Sequence, residues 1–124
     1  MEIKKFDIWL LDFDPTVWSE IQKTRPAIVL SNDFFNISSW TIFVVPLSSA
    51  EPKIANSPFH FKIEKNAKTN LSIESYANVS QFRSVSKLRF IKKIWEVSED
   101  FNEKVMKWLF SILDFNVLDF KYLK

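Results

Sequence analysis

The first apolar segment of the chain alternates with a period of two. Over residues 6–13, even-numbered apolar side chains fall on one side of an extended backbone and odd-numbered ones on the other, which predicts a β-strand. The two sets are Phe6, Ile8 and Leu10, and Trp9, Leu11 and Phe13. Asp14-Pro15 predicts the end of this strand, and residues 15–24 read as a polar loop.

Two short runs rich in β-branched residues come next, over residues 26–31 and 41–47. Apolar runs of this kind predict central strands with both faces covered. Pro46 has no N–H group to donate to a ladder, so we expect it at the end of its strand or at a bulge.

Residues 59–64 alternate again, so that Phe61 and Ile63 point inward while His60 and Lys62 point outward. We expect His60 to be solvated and to have no chemical role. After a polar turn, two further strands are predicted over residues 73–80 and 90–97, with a short turn or helix around residues 84–88 between them.

The period changes to that of a helix near the C-terminal end. Apolar residues recur at helical spacing from Phe101 to Ile112, and Ser98 is a suitable N-cap, which predicts one helix over residues 99–113. Short strands followed by one helix predict a mainly β (α+β) fold, a small, strongly bent antiparallel barrel of the SH3-like kind. The length predicts a single domain over residues 1–124.

Composition narrows the chemistry. The 124 residues include no Cys and one His, which excludes disulfides, thiolate nucleophiles and multi-His zinc sites. The absence of Gly excludes phosphate-cradling glycine loops. Chemistry that needs a cation and a hydroxyl group remains. Cleavage of RNA by its own 2′-OH group fits, because the substrate supplies the nucleophile, and the net charge of +2 is compatible with it.

The absence of glycine also affects the backbone. A turn that needs a positive φ must use another residue, and Asn or Asp is the next best choice. We expect such turns at Asn32-Asp33, Asn66 and Asn70.

The N-terminal apolar run is interrupted by Asp7 and Asp12, unlike a signal peptide. No stretch approaches the about 20 apolar residues of a membrane span. We therefore expect a cytoplasmic protein with no membrane partner.

Three segments place polar side chains next to predicted strands. The first leads into the second strand and ends in Arg25-Pro26, where the proline favours an extended backbone and so fixes the direction of the guanidinium. A planar guanidinium suits bidentate contact with phosphate. The second segment offers the hydroxyl groups of Ser48 and Ser49, and the third offers Gln81 and a second guanidinium, that of Arg83.

These segments carry a resemblance to a known family. The run DIWLLDFDPTVWSEIQKTRPAIVLSNDFFN resembles the N-terminal signature of MazF/PemK toxins. The run TIFVVPLSS resembles the third strand of that family, and SYANVSQFRSVSKLRF resembles its later strand. The three occur in the family's order and cover residues 5–113, so that residues 114–124 form a C-terminal extension.

The resemblance implies a barrel of the CcdB/PemK kind, a homodimer, and a metal-independent mRNA interferase without a cofactor. Such an enzyme cuts single-stranded RNA and leaves a 2′,3′-cyclic phosphate and a 5′-OH end. The catalytic Arg of the family falls on Arg25 and its catalytic Thr on Ser48. RNA contacts are expected from Trp18, Ser19, Glu20, Lys23, Ser49, Gln81 and Arg83. The implied partner is an antitoxin with a flexible acidic segment.

Two family glycines are replaced, by Phe6 before the first strand and by Trp18 in the loop. Two other functions stay open at this point. CcdB-like toxins of the same fold family bind gyrase and cut nothing, and an inactive relative would bind only an antitoxin. The Arg25-Pro26 and Ser48-Ser49 pairs favour the nuclease.

Overall fold

The computed structural model of the protein describes residues 2–13, 24–49, 60–63 and 74–113. Its elements in chain order are β1 (Asp7–Asp12), β2 (Thr24–Val29), α1 (Asp33–Ser38), β3 (Thr41–Ser49), β4 (His60–Ile63), β5 (Ser75–Asn78), a 3₁₀ turn (Val79–Gln81), β6 (Arg83–Ser86), a second 3₁₀ turn (Lys87–Arg89), β7 (Phe90–Glu96) and α2 (Asp100–Ile112).

The seven strands of the described residues form one sheet in the order β4-β5-β3-β2-β1-β7, and β6 also pairs with β3. All the strand pairs are antiparallel. The long strand β3 changes partner along one edge, from β6 at residues 41–44 to β5 at residues 47–49. Pro46 lies between these two partners. It is therefore inside its strand, where we had expected an end or a bulge, at the place where the ladder on one edge is interrupted.

The two faces of the sheet cover two hydrophobic clusters, as the alternation in β1 predicts. One face, here called the barrel face, covers Ile3, Trp9, Leu11, Phe13, Ala27, Val29, Ile42, Val44, Val85 and Phe90. Because β6 and β7 both contribute to this cluster, the sheet bends around it. The mainly β, strongly bent antiparallel fold with a C-terminal helix is thus confirmed.

The opposite face, here called the helix face, carries the second cluster. Ile8, Ile28, Val45, Leu47 and Ala77 are members, and the buried Phe101 and Val105 of α2 pack into the same cluster. Burying side chains of this size contributes about 1.5–3 kcal/mol each, so the apolar stripe of α2 holds it on the sheet. Within the described part of the chain, no helix is long and apolar enough to cross a membrane.

Local details differ from the sequence predictions at helix ends and short elements. The N-cap of helix α2 is Glu99, where we had expected Ser98. The Glu99 side chain makes no capping hydrogen bond. The segment 84–88, predicted as a turn or helix, belongs to strand β6 as far as Ser86 and to the second 3₁₀ turn from Lys87. The short helix α1 was not predicted. Its N-cap is Asn32, whose side chain accepts a hydrogen bond from the Phe35 N–H group at 2.8 Å.

Positive φ occurs at an unexpected residue. Asn32 has a φ of −72°, and Asn66 and Asn70 lie outside the described residues. Among the described residues, the one with a positive φ is Phe6, at 73°. The glycine-free chain therefore places an aromatic residue in the conformation that glycine adopts most easily.

Candidate functional site

The predicted site residues fall into two groups. Trp18, Ser19, Glu20 and Lys23 lie outside the described residues. Arg25, Ser48, Ser49, Gln81 and Arg83 lie within them. The described part of the candidate site therefore consists of the second group, which includes both residues assigned to catalysis.

Strand pairing places Arg25 and Ser48 in one row of the sheet. The ladder between β2 and β3 pairs Val29 with Val44, Ile28 with Val45, and Ala27 with Pro46. Continuing this register by two residues puts Arg25 opposite Ser48.

Both side chains belong to the same face. On β2, Ile28 is on the helix face and Ala27 on the barrel face, so the alternation of side chains puts Arg25 on the barrel face. On β3, Leu47 is buried on the helix face, which turns Ser48 to the barrel face. Arg25 and Ser48 are both half-buried, so each is held by its strand while part of it stays accessible.

Two more guanidinium groups lie near the end of β1. The Cζ atom of Arg83 is 5.2 Å from the centroid of the Phe13 ring. Arg89 donates a hydrogen bond from Nη1 to the Asp12 carbonyl oxygen at 3.2 Å. Arg25 of β2 is the cross-strand partner of Leu11, which is also near the end of β1. Three positive charges thus border one strand end.

Arg89 had no assigned role in the sequence prediction. It belongs to the SKLRF segment, where an Arg after a Ser-Lys turn reads as an ordinary solvated cation. Its hydrogen bond reaches 77 residues back along the chain, and no sequence signal reports a contact of that kind. It fixes the backbone at the point where β1 leads into segment 14–23.

Ser49 and Gln81 are less closely joined to this row. Ser49 is exposed and, by alternation, points to the face opposite Ser48. Gln81 is exposed at the end of the first 3₁₀ turn. The neighbouring Phe82 does not join the site, because its ring stacks on Phe43 with the centroids 5.2 Å apart and the planes at 8°.

The row continues beyond Ser48 with residues that the sequence prediction missed. Tyr76 is paired with Ser48, and Lys62 with Tyr76. His60 lies two residues from Lys62 on the same face. It is half-buried, where we had expected a solvated side chain, and burial lowers its pKa below the ordinary 6.5. An aromatic residue in a strand usually reads as core, which is why Tyr76 was overlooked.

This arrangement puts a half-buried guanidinium and a half-buried hydroxyl group on the barrel face, opposite each other in the continued register. A guanidinium offers parallel N–H donors that match two phosphate oxygens, and a serine hydroxyl adds a third donor. Among the described residues, three arginines and the single carboxylate of Asp12 border this strand end, so positive charge is in excess there. The geometry suits binding of a phosphodiester and stabilisation of additional negative charge on it.

Comparisons with known proteins agree with this reading. Residues 4–113 match the family described as PemK-like, MazF-like toxin of type II toxin-antitoxin system. The chain is 33% identical over 101 residues to endoribonuclease MazF9 of Mycobacterium tuberculosis, covering 77% of this chain and 83% of that protein. It is also 33% identical over 97 residues to endoribonuclease MazF of Staphylococcus epidermidis, covering 78% and 79%.

The fold is similar to that of a solved structure at lower sequence identity. The MazE-MazF structure (Form-III) from Deinococcus radiodurans superposes with a TM-score of 0.75 at 20% identity. The superposition covers 94% of this chain and 100% of that one. This likeness shows that the two chains share a fold.

Proposed function

Since the chain belongs to the PemK-like, MazF-like toxins of type II toxin–antitoxin systems, we propose that it cleaves single-stranded RNA as a metal-independent endoribonuclease. The nuclease function is supported by the relatives named endoribonuclease, each 33% identical over most of the chain. The observation that carries the mechanism is the register between β2 and β3, which puts Arg25 opposite Ser48 when it is continued two residues beyond the Ala27–Pro46 pair.

The proposed reaction uses a nucleophile that belongs to the RNA. The 2′-oxygen attacks the adjacent phosphorus atom and releases its proton to water. The bond from phosphorus to the 5′-oxygen of the next nucleotide breaks, and that oxygen takes up a proton from water, so that no net proton is consumed. The products are a 2′,3′-cyclic phosphate and a 5′-OH end.

The protein's contribution is charge stabilisation and orientation. In the crowded phosphorane, negative charge grows on the non-bridging oxygens. Arg25 stabilises that charge with its fixed guanidinium, and Ser48 donates a hydrogen bond to one of the same oxygens. One such donor typically contributes a factor of about 10²–10³ to the rate.

The other arginines bind the RNA chain next to the reacting phosphate, on the β1 side of Arg25. Arg83 is held over Phe13, and Arg89 is bonded to the Asp12 carbonyl. Both guanidinium groups therefore lie close to the strand that pairs with Arg25. Each neutralised phosphate releases counterions, so binding weakens as salt rises.

The partners follow from the family. A relative of the same fold was solved as MazE-MazF, and we propose that this chain likewise binds a cognate antitoxin. An acidic segment that covers Arg25 and Arg83 would compete with RNA. We also propose a homodimer located in the cytoplasm, with residues 1–124 acting as one domain.

The test is an assay on purified protein with mixed single-stranded RNA in the presence of EDTA. Cleavage with 2′,3′-cyclic phosphate and 5′-OH ends supports the proposal. The matched variants are Arg25→Ala and Lys92→Ala, the latter removing an exposed cation on β7. Loss of cleavage in EDTA would refute metal independence. Equal activity of Arg25→Ala and wild type would refute the assigned site, and absence of cleavage by wild type would refute the nuclease.

A further inference from the structure

Tyr76 occupies a position on the barrel face that the proposed chemistry does not use. It is the cross-strand partner of Ser48 on one side and of Lys62 on the other. Directly opposite residues in antiparallel strands have their Cβ atoms about 4.5–5.5 Å apart. The Tyr76 ring therefore stands next to the hydroxyl group that is proposed to hold the reacting phosphate.

The Tyr76 ring is not part of the hydrophobic core. Its neighbours Ser75 and Ala77 are buried, and Ala77 belongs to the helix-face cluster. Because side chains alternate along a strand, Tyr76 points the other way, as Ser48 does. It is half-buried, and among the described residues neither core cluster includes it. Among the described residues, Tyr76 thus presents a partly accessible aromatic ring on the barrel face.

The two ends of the row differ in net charge. Beyond Tyr76, the Lys62 ammonium is 3.3 Å from a Glu74 carboxylate oxygen, so positive and negative charge largely cancel there. On the other side of Ser48, Arg25 carries its charge among two further arginines. A phosphate group is favoured at the Arg25 end of the row, and an uncharged, flat group is favoured at Tyr76.

Nucleobases are groups of that kind. Neighbouring strands lie about 4.7–4.9 Å apart, so Tyr76 and Arg25 are about two strand spacings from each other across Ser48. A nucleotide whose phosphate is held at Arg25 and Ser48 can lay an adjoining base over this distance. Aromatic side chains on open sheet faces bind single-stranded RNA by such stacking.

We infer that Tyr76 is the stacking platform for a base adjoining the scissile phosphate and contributes to the choice of cut site. This inference rests on the proposed function for the identity of the ligand. The geometric requirement is a ring, and the phenolic hydroxyl group is not needed for stacking.

The test compares Tyr76→Ala, Tyr76→Phe and the control Trp40→Ala. Trp40 is 88% exposed and immediately precedes Thr41, the first residue of β3, whereas Ser48 is near the other end of that strand. Trp40→Ala therefore removes an exposed aromatic ring that is distant from Ser48. The substrates are a short single-stranded RNA with the mapped cut site and the same RNA with an abasic nucleotide on each side of the cut in turn. Removing one stacked base typically changes affinity about five- to a hundred-fold.

The expected result has three parts. Tyr76→Ala lowers kcat/KM on the intact RNA by about ten-fold, whereas Tyr76→Phe and Trp40→Ala stay close to wild type. Wild type and Tyr76→Ala cleave one of the abasic substrates at equal rates, because the base that stacks is missing from it. The profile of cut sites in mixed RNA changes in Tyr76→Ala alone.

Three results would overturn the inference. The first is an unchanged kcat/KM for Tyr76→Ala. The second is a loss of the same size on the intact RNA and both abasic RNAs. The third is a loss in Tyr76→Ala that follows a lowered melting temperature or a weakened dimer, which would make the ring structural.

Binding of a labelled random-sequence RNA to the same variants separates this inference from the proposed nuclease activity. If wild type cuts no RNA but binds it, and Tyr76→Ala binds more weakly, the nuclease proposal fails and the stacking inference stands. If wild type cuts RNA and all variants bind and cut alike, the stacking inference fails and the nuclease proposal stands. If wild type does not bind RNA, both fail.

Discussion

The guanidinium group of Arg83 lies over the ring of Phe13, with Cζ 5.2 Å from the ring centroid. Arg83 is the first residue of β6, and Phe13 follows the last residue of β1, so the contact joins the start of β6 to the end of β1. Phe13 is 7% exposed, and Arg83 helps to cover it. One residue therefore serves both packing and the positive charge near Arg25.

The two roles of Arg83 can be separated by substitution. Arg83→Met keeps an apolar cover on Phe13 and removes the charge, whereas Arg83→Lys keeps the charge and removes the planar group. We expect Arg83→Met to bind single-stranded RNA more weakly, with a salt dependence that is smaller by about 0.7 in log–log slope. Arg83→Lys should keep the slope. Fluorescence anisotropy at increasing salt measures both, and an unchanged slope in Arg83→Met would show that no phosphate is bound there.

Substitutions at Arg25 and Ser48 should lower the cleavage rate more than a substitution at the neighbouring Ser49. Arg25→Ala is expected to lower kcat by about 10²–10³-fold, the usual loss for one donor to a transition state. Ser48→Thr keeps the hydroxyl group and should be active, while Ser48→Ala should be strongly impaired. Ser49 points to the opposite face, so Ser49→Ala should cost less than Ser48→Ala. Single-turnover cleavage of a labelled RNA measures all four, and equal rates for Ser48→Ala and Ser49→Ala would contradict the deduced register.

His60 should make the stability of the fold dependent on pH. Its Nδ1 atom is buried and has no hydrogen-bond partner among the described residues, and burial lowers its pKa from the ordinary 6.5. The unfolded chain then binds a proton at a higher pH than the folded chain. Stability is therefore complete above the ordinary pKa and falls as the pH drops through it towards the lower folded pKa.

The measurement is the melting temperature of wild type and His60→Gln from about pH 7.5 to about pH 5.5, above the range where carboxylates titrate. Wild type should lose more stability over this interval than the variant. Lys62 and Asn78 adjoin His60 on this face. Parallel curves for the two proteins would contradict the prediction.

Much of the fold follows from the sequence because its main strands have strong patterns. The central strands β2 and β3 contain apolar runs, and hydrophobic clusters cover both faces of these runs, at residues 27–29 and 42–47. Strand β6 was missed because it is four residues long and buries one of them, Val85. Helix α1 was missed for a similar reason, since Phe34 and Ile37 are 80% and 77% exposed and it presents no apolar stripe to the core.

The site was only partly accessible to sequence reasoning. The resemblance pointed to Arg25 and Ser48 separately, but their common row depends on a register between strands that are far apart in the chain. The role proposed for Tyr76 depends on the same register and on the burial of Ala77 beside it. Long-range pairing of this kind is fixed by tertiary structure and is not written in local periodicity.

Phe6 holds a left-handed backbone because both of its backbone groups are used. Its N–H group donates to the Val29 carbonyl oxygen at 2.8 Å, and its carbonyl oxygen accepts from the Val97 N–H group at 2.9 Å. These bonds connect the end of β2 with the residue after β7. The φ of 73° is therefore imposed by the sheet, and it costs about 1 kcal/mol or more in a residue with a Cβ atom.

The last prediction separates this backbone cost from the packing of the Phe6 ring, which lies partly buried against the helix-face cluster. Phe6→Ala and Phe6→Gly both remove the ring, but only Phe6→Gly also relieves the left-handed strain. Phe6→Gly should therefore be the more stable of the two by about 1 kcal/mol, or about 4 °C in melting temperature.

This order is the reverse of the usual one, because glycine normally destabilises a folded chain by its greater freedom when unfolded. Ile91 provides the matched control, since it is a half-exposed residue in the extended strand β7. There the alanine variant should be the more stable. If Phe6→Ala equals or exceeds Phe6→Gly in thermal or urea unfolding, the Phe6 backbone carries no strain and the glycine of the family at this position has no energetic advantage in this chain.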